Sequence, residues 1–132
     1  MKKIFLTFLI FSVVSCSVSE VPLDSLVERN GITYQVNSDK PYSGKAIEYY
    51  ANGQAEYIET YKKGKIAQEE QYYENGQLEW RWSCEGGIEN DMCPYEEYVD
   101  YWENGQLASK STYKNGEVVQ EEQYYENGNK IQ

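Results

Sequence analysis

The chain has 132 residues, of which 22 are acidic, 12 are basic and none is histidine, so its formal net charge at pH 7 is −10. So acidic a chain is repelled by nucleic acid and by anionic lipid headgroups, and neither is expected as a partner. Aliphatic residues are sparse beyond residue 15, and the mean hydropathy is −0.78. We therefore expect a thin core of aromatic rings and side-chain stems.

The first 15 residues have the arrangement of an export signal. Lys2 and Lys3 precede an apolar run at residues 4–11, and small residues follow as far as Cys16. The apolar run is shorter than the ~20 residues that a membrane-spanning helix needs. Residues 13–16, VVSC, resemble the bacterial lipobox, in which the cysteine is lipidated and becomes the first residue after cleavage. An ordinary secretory signal with an incidental cysteine is the alternative.

The lipobox resemblance implies a lipid-anchored protein of the bacterial cell envelope, with the membrane contact made through lipid on Cys16. Ser17, rather than aspartate, follows this cysteine, which in a Gram-negative cell indicates the outer membrane. Buried acyl chains contribute about 0.8 kcal/mol per methylene, so lipid alone would hold a folded domain at the membrane. Residues 16–28, which include Pro22 and acidic side chains, are predicted to form a tether.

The string QEEQYYENG occurs twice, at residues 68–76 and 120–128. The duplication extends to the blocks 49–76 and 101–128, in which glycines recur every 11 or 12 residues, and each interval has room for one strand and one turn. Such internal duplication is typical of an array of similar units. Residues 29–132 are therefore predicted to be all-β, with repeated antiparallel β-hairpins that form an elongated twisted meander sheet.

The repeated Asn-Gly pairs predict the hairpin turns, because a type I′ turn needs positive φ at both central residues. If the turn at Asn75-Gly76 is a two-residue loop, it also predicts the pairing of the flanking strands. The predicted cross-strand pairs are Tyr73 with Leu78, Gln71 with Trp80, and Glu70 with Arg81. This register places Leu78, Trp80, Trp82 and Cys84 on one face of the sheet.

The repeat spacing is interrupted by extra residues within 83–94, a segment that contains Cys84 and Cys93. With Cys16 assigned to lipid, these two thiols form an even pair in an exported chain, which predicts a disulfide. Free thiols in a reducing exterior are the alternative. A zinc site is disfavoured because two thiols without histidine do not complete a tetrahedral ligand set.

The sequence predicts no catalytic residue, cofactor or metal site. There is no histidine, and neither a glycine-rich phosphate loop nor a nucleophile elbow is present. Adjacent glutamates occur at 69–70, 96–97 and 121–122, and a glycosidase could use two such acids. Neighbouring residues of a strand point to opposite faces, however, so we interpret these pairs as solvated charges that keep the sheet soluble. A calcium site formed by Glu85, Glu89 and Asp91 is disfavoured, because these residues do not have the EF-hand spacing.

The repeated segments resemble a known family. The heptads YYENGQL at residues 72–78 and YWENGQL at 101–107, with YKNG at 113–116, closely resemble the MORN-variant repeat. This repeat marks bacterial proteins catalogued as YwqK-type antitoxins, and the resemblance covers residues 30–128. It implies a meander of β-hairpins used for protein contact, with an antitoxin or immunity role.

The function predicted from the sequence is that of a lipid-anchored, non-catalytic interaction module that binds an unidentified protein. Exposed aromatic residues are the candidate anchors, namely Tyr72, Trp80, Trp82 and Trp102. The alternative is a cell-wall protein whose row of aromatic side chains stacks on glycan rings. For any single ring, the alternative to both interpretations is that it packs against the sheet and binds no partner.

Overall fold

The computed structural model describes residues 19–88 and 92–132, and these residues form strands joined by short turns. A 3-10 turn lies at Leu23–Ser25. The strands are β1 (Glu20–Pro22), β2 (Leu26–Arg29), β3 (Ile32–Gln35), β4 (Gly44–Tyr49), β5 (Ala55–Lys62), β6 (Lys65–Tyr72), β7 (Leu78–Glu85), β8 (Tyr95–Tyr101), β9 (Leu107–Lys114) and β10 (Glu117–Gln123).

Eight of the strands form one sheet in the order β1-β4-β5-β6-β7-β8-β9-β10. From β4 to β10 each strand pairs antiparallel with the next strand in sequence, so the predicted all-β meander of hairpins is confirmed. β1 adds a parallel strand beside β4, a pairing that the hairpin pattern does not predict. β2 and β3 form a separate two-stranded ribbon.

The turn at Asn75-Gly76 differs from the predicted two-residue type I′ turn. Only Gly76 adopts positive φ, at 83°, and its N–H donates to the carbonyl of Tyr73 at 2.8 Å. Asn75 instead uses its side chain, whose Oδ1 accepts the N–H of Gln77 at 2.8 Å. This side-chain bond favours a type I turn followed by a left-handed glycine, which makes the loop one residue longer.

The longer loop changes one of the three predicted pairs. Tyr72, not Tyr73, faces Leu78, and a bulge then restores the register at Gln71 and Trp80. The predicted pairs of Gln71 with Trp80 and of Glu70 with Arg81 are therefore confirmed, and the pair of Tyr73 with Leu78 was wrong. Trp80, Trp82 and Cys84 lie on one face, as predicted.

The Asn-Gly turns form a continuous edge, because side chains of each turn donate to the backbone of the next. Asparagine Nδ2 atoms bond to glutamate carbonyls from Asn52 to Glu74 at 3.1 Å, from Asn75 to Glu103 at 3.4 Å, and from Asn104 to Glu126 at 2.9 Å. Aromatic donors do the same from Tyr50 to Tyr72 at 2.6 Å, from Tyr73 to Tyr101 at 3.0 Å, and from Trp102 to Tyr124 at 3.2 Å. We call this row of turns the asparagine edge.

The opposite edge of the sheet has turns of the predicted kind and carries the insertion. Lys63-Gly64 and Asn115-Gly116 have positive φ at both positions, which is the type I′ conformation. Between β7 and β8 the chain makes a longer excursion, and Cys84 and Cys93 form the predicted disulfide with a Cα–Cα distance of 5.7 Å. Cys84 is buried, so the bridge attaches the excursion directly to the sheet.

The N-terminal segment covers one end of the sheet. Tyr42, Ala46 and Tyr61 form a buried cluster, and apolar side chains of the segment pack against it, namely Val21, Leu23 and Leu26. We call the ribbon β2–β3, the 3-10 turn and Tyr42 together the N-terminal cover. The tether predicted for residues 16–28 thus differs from the structure in its described part, because apolar residues between the acidic ones bind this stretch to the sheet.

Candidate functional site

The register of the meander gives the sheet two faces with different chemistry. Trp82 pairs with Glu69 on one side and with Tyr98 on the other, so these side chains share a face. The next residue of β7, Ser83, pairs with Glu97 and lies on the opposite face. We call the two surfaces the aromatic face, which contains Trp82, and the ion-paired face, which contains Glu97.

Rings on the aromatic face pack against one another across neighbouring strands. Tyr57 and Trp80 have ring centroids 6.1 Å apart, and Trp82 and Tyr98 are 6.5 Å apart. Tyr98 also contacts Tyr113 edge-to-face at 5.5 Å. These separations lie within the range of attractive aromatic pairs, so the rings stabilise the sheet as well as forming its surface.

Carboxylates lie between these rings and accept hydrogen bonds from neutral donors. The Tyr57 hydroxyl donates to Oε1 of Glu69. Oε2 of Glu96 accepts from Trp82 Nε1 at 3.2 Å and from the Tyr98 hydroxyl at 3.1 Å. Farther along the same face, the Ser109 hydroxyl donates to Oδ2 of Asp100. The negative charges are therefore fixed in position but are not neutralised by these partners.

The pKa values on the aromatic face reflect this arrangement. Burial raises the pKa of Tyr57 far above its ordinary value, and the hydrogen bond to Glu69 raises it further, since that bond needs the protonated phenol. Burial also raises the pKa of Glu59, and the neighbouring Glu69 charge adds to the shift. Glu59 and Glu69 pair directly across β5 and β6. Two carboxylates thus stand side by side on this surface.

The ion-paired face has compensated charges. Glu97 lies between two cations, with Lys110 Nζ at 2.5 Å and Arg81 Nη2 at 3.3 Å from its carboxylate oxygens. The hydrogen bond from Lys110 is the main reason that the pKa of Glu97 is lowered. In β7 to β10 every lysine or arginine alternates onto this face, namely Arg81, Lys110 and Lys114. These cations are therefore on the other side of the sheet from Trp80, Trp82 and Tyr98.

The N-terminal cover leaves most of the aromatic face open. Its hydrophobic cluster includes Tyr61 and Ile66 from β5 and β6 but no residue of β7 to β10. Tyr98 is 42% exposed, and Trp80 and Trp82 are half-buried by their neighbours within the sheet. The open part of the face is the strip around Trp80, Trp82 and Tyr98.

The four predicted anchors do not lie together. Trp80 and Trp82 share the aromatic face, whereas Tyr72 lies on the other side, near Glu70 and Arg81. Trp102 is on the asparagine edge, where its indole N–H replaces the hydroxyl that Tyr50 and Tyr73 use in the equivalent positions. Its ring therefore joins two neighbouring turns of the asparagine edge.

Several residues of the aromatic face were missed by sequence reasoning. Tyr57, Tyr98 and Tyr113 complete the aromatic row, and Glu69 and Glu96 supply its charges. The signal was present, because extending the correct pair of Gln71 with Trp80 to the next strands places all five on one face. The interpretation of Glu69 as a solvated charge overlooked the phenol that bonds to it.

Other expected features fall partly outside the described residues. Cys16, Glu89 and Asp91 lie there, so the lipid site and the calcium alternative stay predictions. Within residues 19–88 and 92–132, no group of three or more acidic or cysteine side chains is arranged to hold a metal ion. In the same residues, no helix has the length and apolar character needed to cross a membrane.

Comparison with known proteins supports the repeat architecture. The family model described as MORN repeat variant matches residues 42–63, 64–79 and 97–115. These segments contain β4, β5, β6 and β9, parts of β7 and β8, and the three asparagine-edge turns that bond to the next turn. No curated protein and no solved structure was found to match the chain. Over these three segments the chain is similar to MORN-variant repeats.

Proposed function

We propose that the chain is a non-catalytic protein-docking module and that the open part of its aromatic face is the docking surface. The observation that carries this proposal is the location of Trp80, Trp82 and Tyr98 on one uncovered face, with carboxylates between the rings. Tryptophan and tyrosine are the residues that most often dominate binding energy at protein interfaces. MORN-variant repeats, which the chain carries, are in general interaction modules.

The module is held at the bacterial cell envelope by lipid on Cys16. The export signal and the VVSC motif support this location. Removal of Cys16 would leave the folded sheet unchanged, because the described strands begin at Glu20. Mass spectrometry of the purified protein tests the anchor: the expected product begins at Cys16 and carries acyl chains, and an intact N-terminus without lipid would refute it.

An immunity-like role is the form of this function that best fits both the family resemblance and the export signal. A protein at the envelope can protect the cell from a toxin that acts there, whereas a cytosolic toxin would be out of its reach. In this proposal the toxin docks on the aromatic face.

Site-specific photo-crosslinking in living cells tests the docking surface. Tyr98 and Tyr95 lie on the same strand, on opposite faces, with similar exposed fractions of 42% and 40%. Each is replaced in turn by p-benzoylphenylalanine in the full-length protein. We expect Tyr98→p-benzoylphenylalanine to capture a defined protein and Tyr95→p-benzoylphenylalanine to capture little of it. Equal capture from both positions, or none from Tyr98, would contradict the assignment.

Glycan binding is the second candidate, and the shared face of Trp80 and Trp82 is the observation that favours it. Stacking on a sugar needs an accessible ring plane, and the planes of Trp82 and Tyr98 are inclined by 55°. A continuous flat platform is therefore not formed by this pair. Retention of the full-length protein on purified cell-wall polysaccharide, abolished by Trp80→Ala or Trp82→Ala, would favour glycan over protein as the partner.

A further inference from the structure

The chemistry of the open aromatic face specifies what kind of partner it fits. In β6 to β8 this face presents Glu69, Glu96 and Asp100, and all three accept hydrogen bonds from uncharged donors. The cations of β7 to β10 lie on the other side of the sheet. A docking protein thus meets rings and uncompensated negative charge together.

In the described part of the structure, one oxygen of each of these carboxylates accepts a hydrogen bond and the other oxygen accepts none. In the described structure the hydrogen bonds reach Oε1 of Glu69, Oε2 of Glu96 and Oδ2 of Asp100. The donors fix the orientation of the carboxylates, so a cation that binds the remaining oxygens does not have to order them. Such preorganisation favours a tight contact over a diffuse electrostatic one.

The rings favour one cation over another. A guanidinium group is planar, stacks on tryptophan and tyrosine, and donates hydrogen bonds to carboxylates in its own plane. An ammonium group is more strongly hydrated and does not stack. Trp82 has Tyr98 on one side and bonds to Glu96, so ring and carboxylate are adjacent at one position. This combination matches the two binding modes of arginine.

We propose that the open part of the aromatic face docks an arginine-bearing basic segment of the partner protein. The proposal rests on the proposed function, because it names the chemistry of the partner that the docking surface receives. Trp82, with Glu69 and Glu96 on its flanks, is the centre of the site. Charge complementarity identifies the occupant, since the surface has carboxylates in fixed positions and no lysine or arginine from β7 to β10.

Other occupants fit this surface less well. A second copy of the chain brings a formal net charge of −10, which opposes association through an acidic face. An anionic membrane is repelled for the same reason. A neutral glycan uses the rings but leaves the carboxylates without cations.

Peptide binding to the full-length protein, purified in a mild nonionic detergent, tests the inference. The probe is a fluorescent synthetic peptide of repeated Arg-Gly-Ser units, and fluorescence anisotropy measures its affinity. Peptides with lysine or glutamate in place of arginine provide comparison. We expect the arginine peptide to bind several-fold more tightly than the lysine peptide, and the glutamate peptide not to bind. Equal affinity for the arginine and lysine peptides would overturn the assignment to arginine.

Two double variants remove the same charge from opposite faces. Glu69→Gln with Glu96→Gln changes the aromatic face, and Glu70→Gln with Glu85→Gln changes the other. We expect about a tenfold loss of affinity for the first pair and less than about a twofold loss for the second. Similar losses in both would show attraction to net charge alone and would overturn the site. No binding by the wild-type protein would overturn it as well.

Tryptophan fluorescence tests peptide docking independently, in case Glu69→Gln with Glu96→Gln unfolds the protein. In a Trp102→Phe protein the emission comes from Trp80 and Trp82, because the chain has three tryptophans. The arginine peptide should shift or quench this emission, and an unchanged spectrum at saturation would refute docking at these rings. Capture of a protein by crosslinking at Tyr98, with no preference for the arginine peptide, would leave the docking function standing and remove only this inference.

Discussion

The two ends of the aromatic face have the same kind of residues and different surroundings. At one end Tyr61 is 6% exposed beneath Tyr42 of the N-terminal cover, whose ring lies 5.7 Å away, and further apolar side chains pack against the pair. At the other end Tyr98 is 42% exposed beside Trp82. The covered end shows how this face is stabilised when another segment packs on it. The open end keeps the same aromatic surface available to a different protein.

On the aromatic face, the residues that contribute most to stability and the residues available for binding lie at different ends. A buried ring contributes to stability through the apolar area that folding removes from water, and the cost of its removal grows with burial. A half-buried ring in a one-layer sheet contributes less to folding and retains area that a partner can cover. Substitutions at the two ends should therefore have different consequences.

The largest expected effect is at the covered end. Tyr42→Ala removes a buried ring and a hydroxyl that donates to the carbonyl of Lys45 at 2.7 Å. We expect it to cost about 3–5 kcal/mol of unfolding free energy. Tyr98→Ala, at the open end, should cost about 1 kcal/mol, as is usual for a partly exposed residue. Urea denaturation followed by circular dichroism measures both, and equal losses would contradict the distinction between the ends.

The disulfide should have the next largest effect, and it acts on the half of the sheet that lacks the cover. Replacement of both Cys84 and Cys93 by serine removes the bridge that attaches the β7–β8 excursion. A loop of this size predicts a loss of about 2–3 kcal/mol. Thermal unfolding measures this loss relative to the oxidised wild-type protein. The variant and the wild-type protein reduced with dithiothreitol should show the same loss. A change below about 0.5 kcal/mol would show that the bridge does not stabilise the open half.

The asparagine edge gives a smaller effect, and it connects the open half to the covered half. Asn75→Ala removes the bond to Gln77 within its turn and the bond to Glu103 of the next turn. Asn127 makes the same turn bond, to Asn129, and in the described part of the chain its Nδ2 has no acceptor in a following turn. We expect Asn75→Ala to cost about 1–2 kcal/mol and Asn127→Ala about half as much. Chemical denaturation measures the difference, and equal costs would mean that the bond between turns adds nothing.

The smallest effects are electrostatic and have opposite signs on the two faces. The pKa of Glu59 is raised by burial and by Glu69, so its ionisation disfavours the fold. The penalty is absent below the ordinary pKa of 4.5 and develops as the pH rises through the folded pKa. The pKa of Glu97 is lowered, mainly by the hydrogen bond from Lys110, so its contribution is present above 4.5 and is lost as the pH falls through the folded pKa.

Glu59→Gln should therefore stabilise the protein at pH 7, and Glu97→Gln should destabilise it, each by less than about 1 kcal/mol. At pH 3 the difference for Glu59→Gln should vanish, because its penalty is absent below 4.5, and the difference for Glu97→Gln should be smaller than at pH 7, because its contribution is lost as the pH falls. Differential scanning calorimetry at the two pH values is the measurement. Destabilisation by Glu59→Gln at pH 7 would contradict the like-charge penalty on the aromatic face.

The meander could be predicted from the sequence because the Asn-Gly recurrence carries turn and register information locally. The pair of Gln71 with Trp80 followed from one turn and was correct, although the turn itself is one residue longer than predicted. The disulfide followed from counting thiols in a chain with a predicted export signal. These features depend on short stretches of sequence, where propensity and spacing are informative.

The rest depends on contacts between distant segments. The parallel pairing of Glu20–Pro22 with β4 has no local signal, because proline and acidic neighbours are equally compatible with a tether. The division of the predicted anchors between two faces and one edge becomes visible only when the strand pairing is extended across the whole sheet. The hydrogen bond from Trp102 to Tyr124 likewise needs the next turn to be in place.

The asparagine edge also determines where the chain can change in length. The same asparagine bond joins residues 22 apart at Asn52 and Asn104 and residues 28 apart at Asn75. The additional residues leave the sheet at the opposite edge, between β7 and β8, where the disulfide closes them off. Loops of various sizes can therefore be exchanged there while the turns on the other side keep their spacing. A graft of an unrelated disulfide-closed loop between Cys84 and Cys93 should leave the strand register intact.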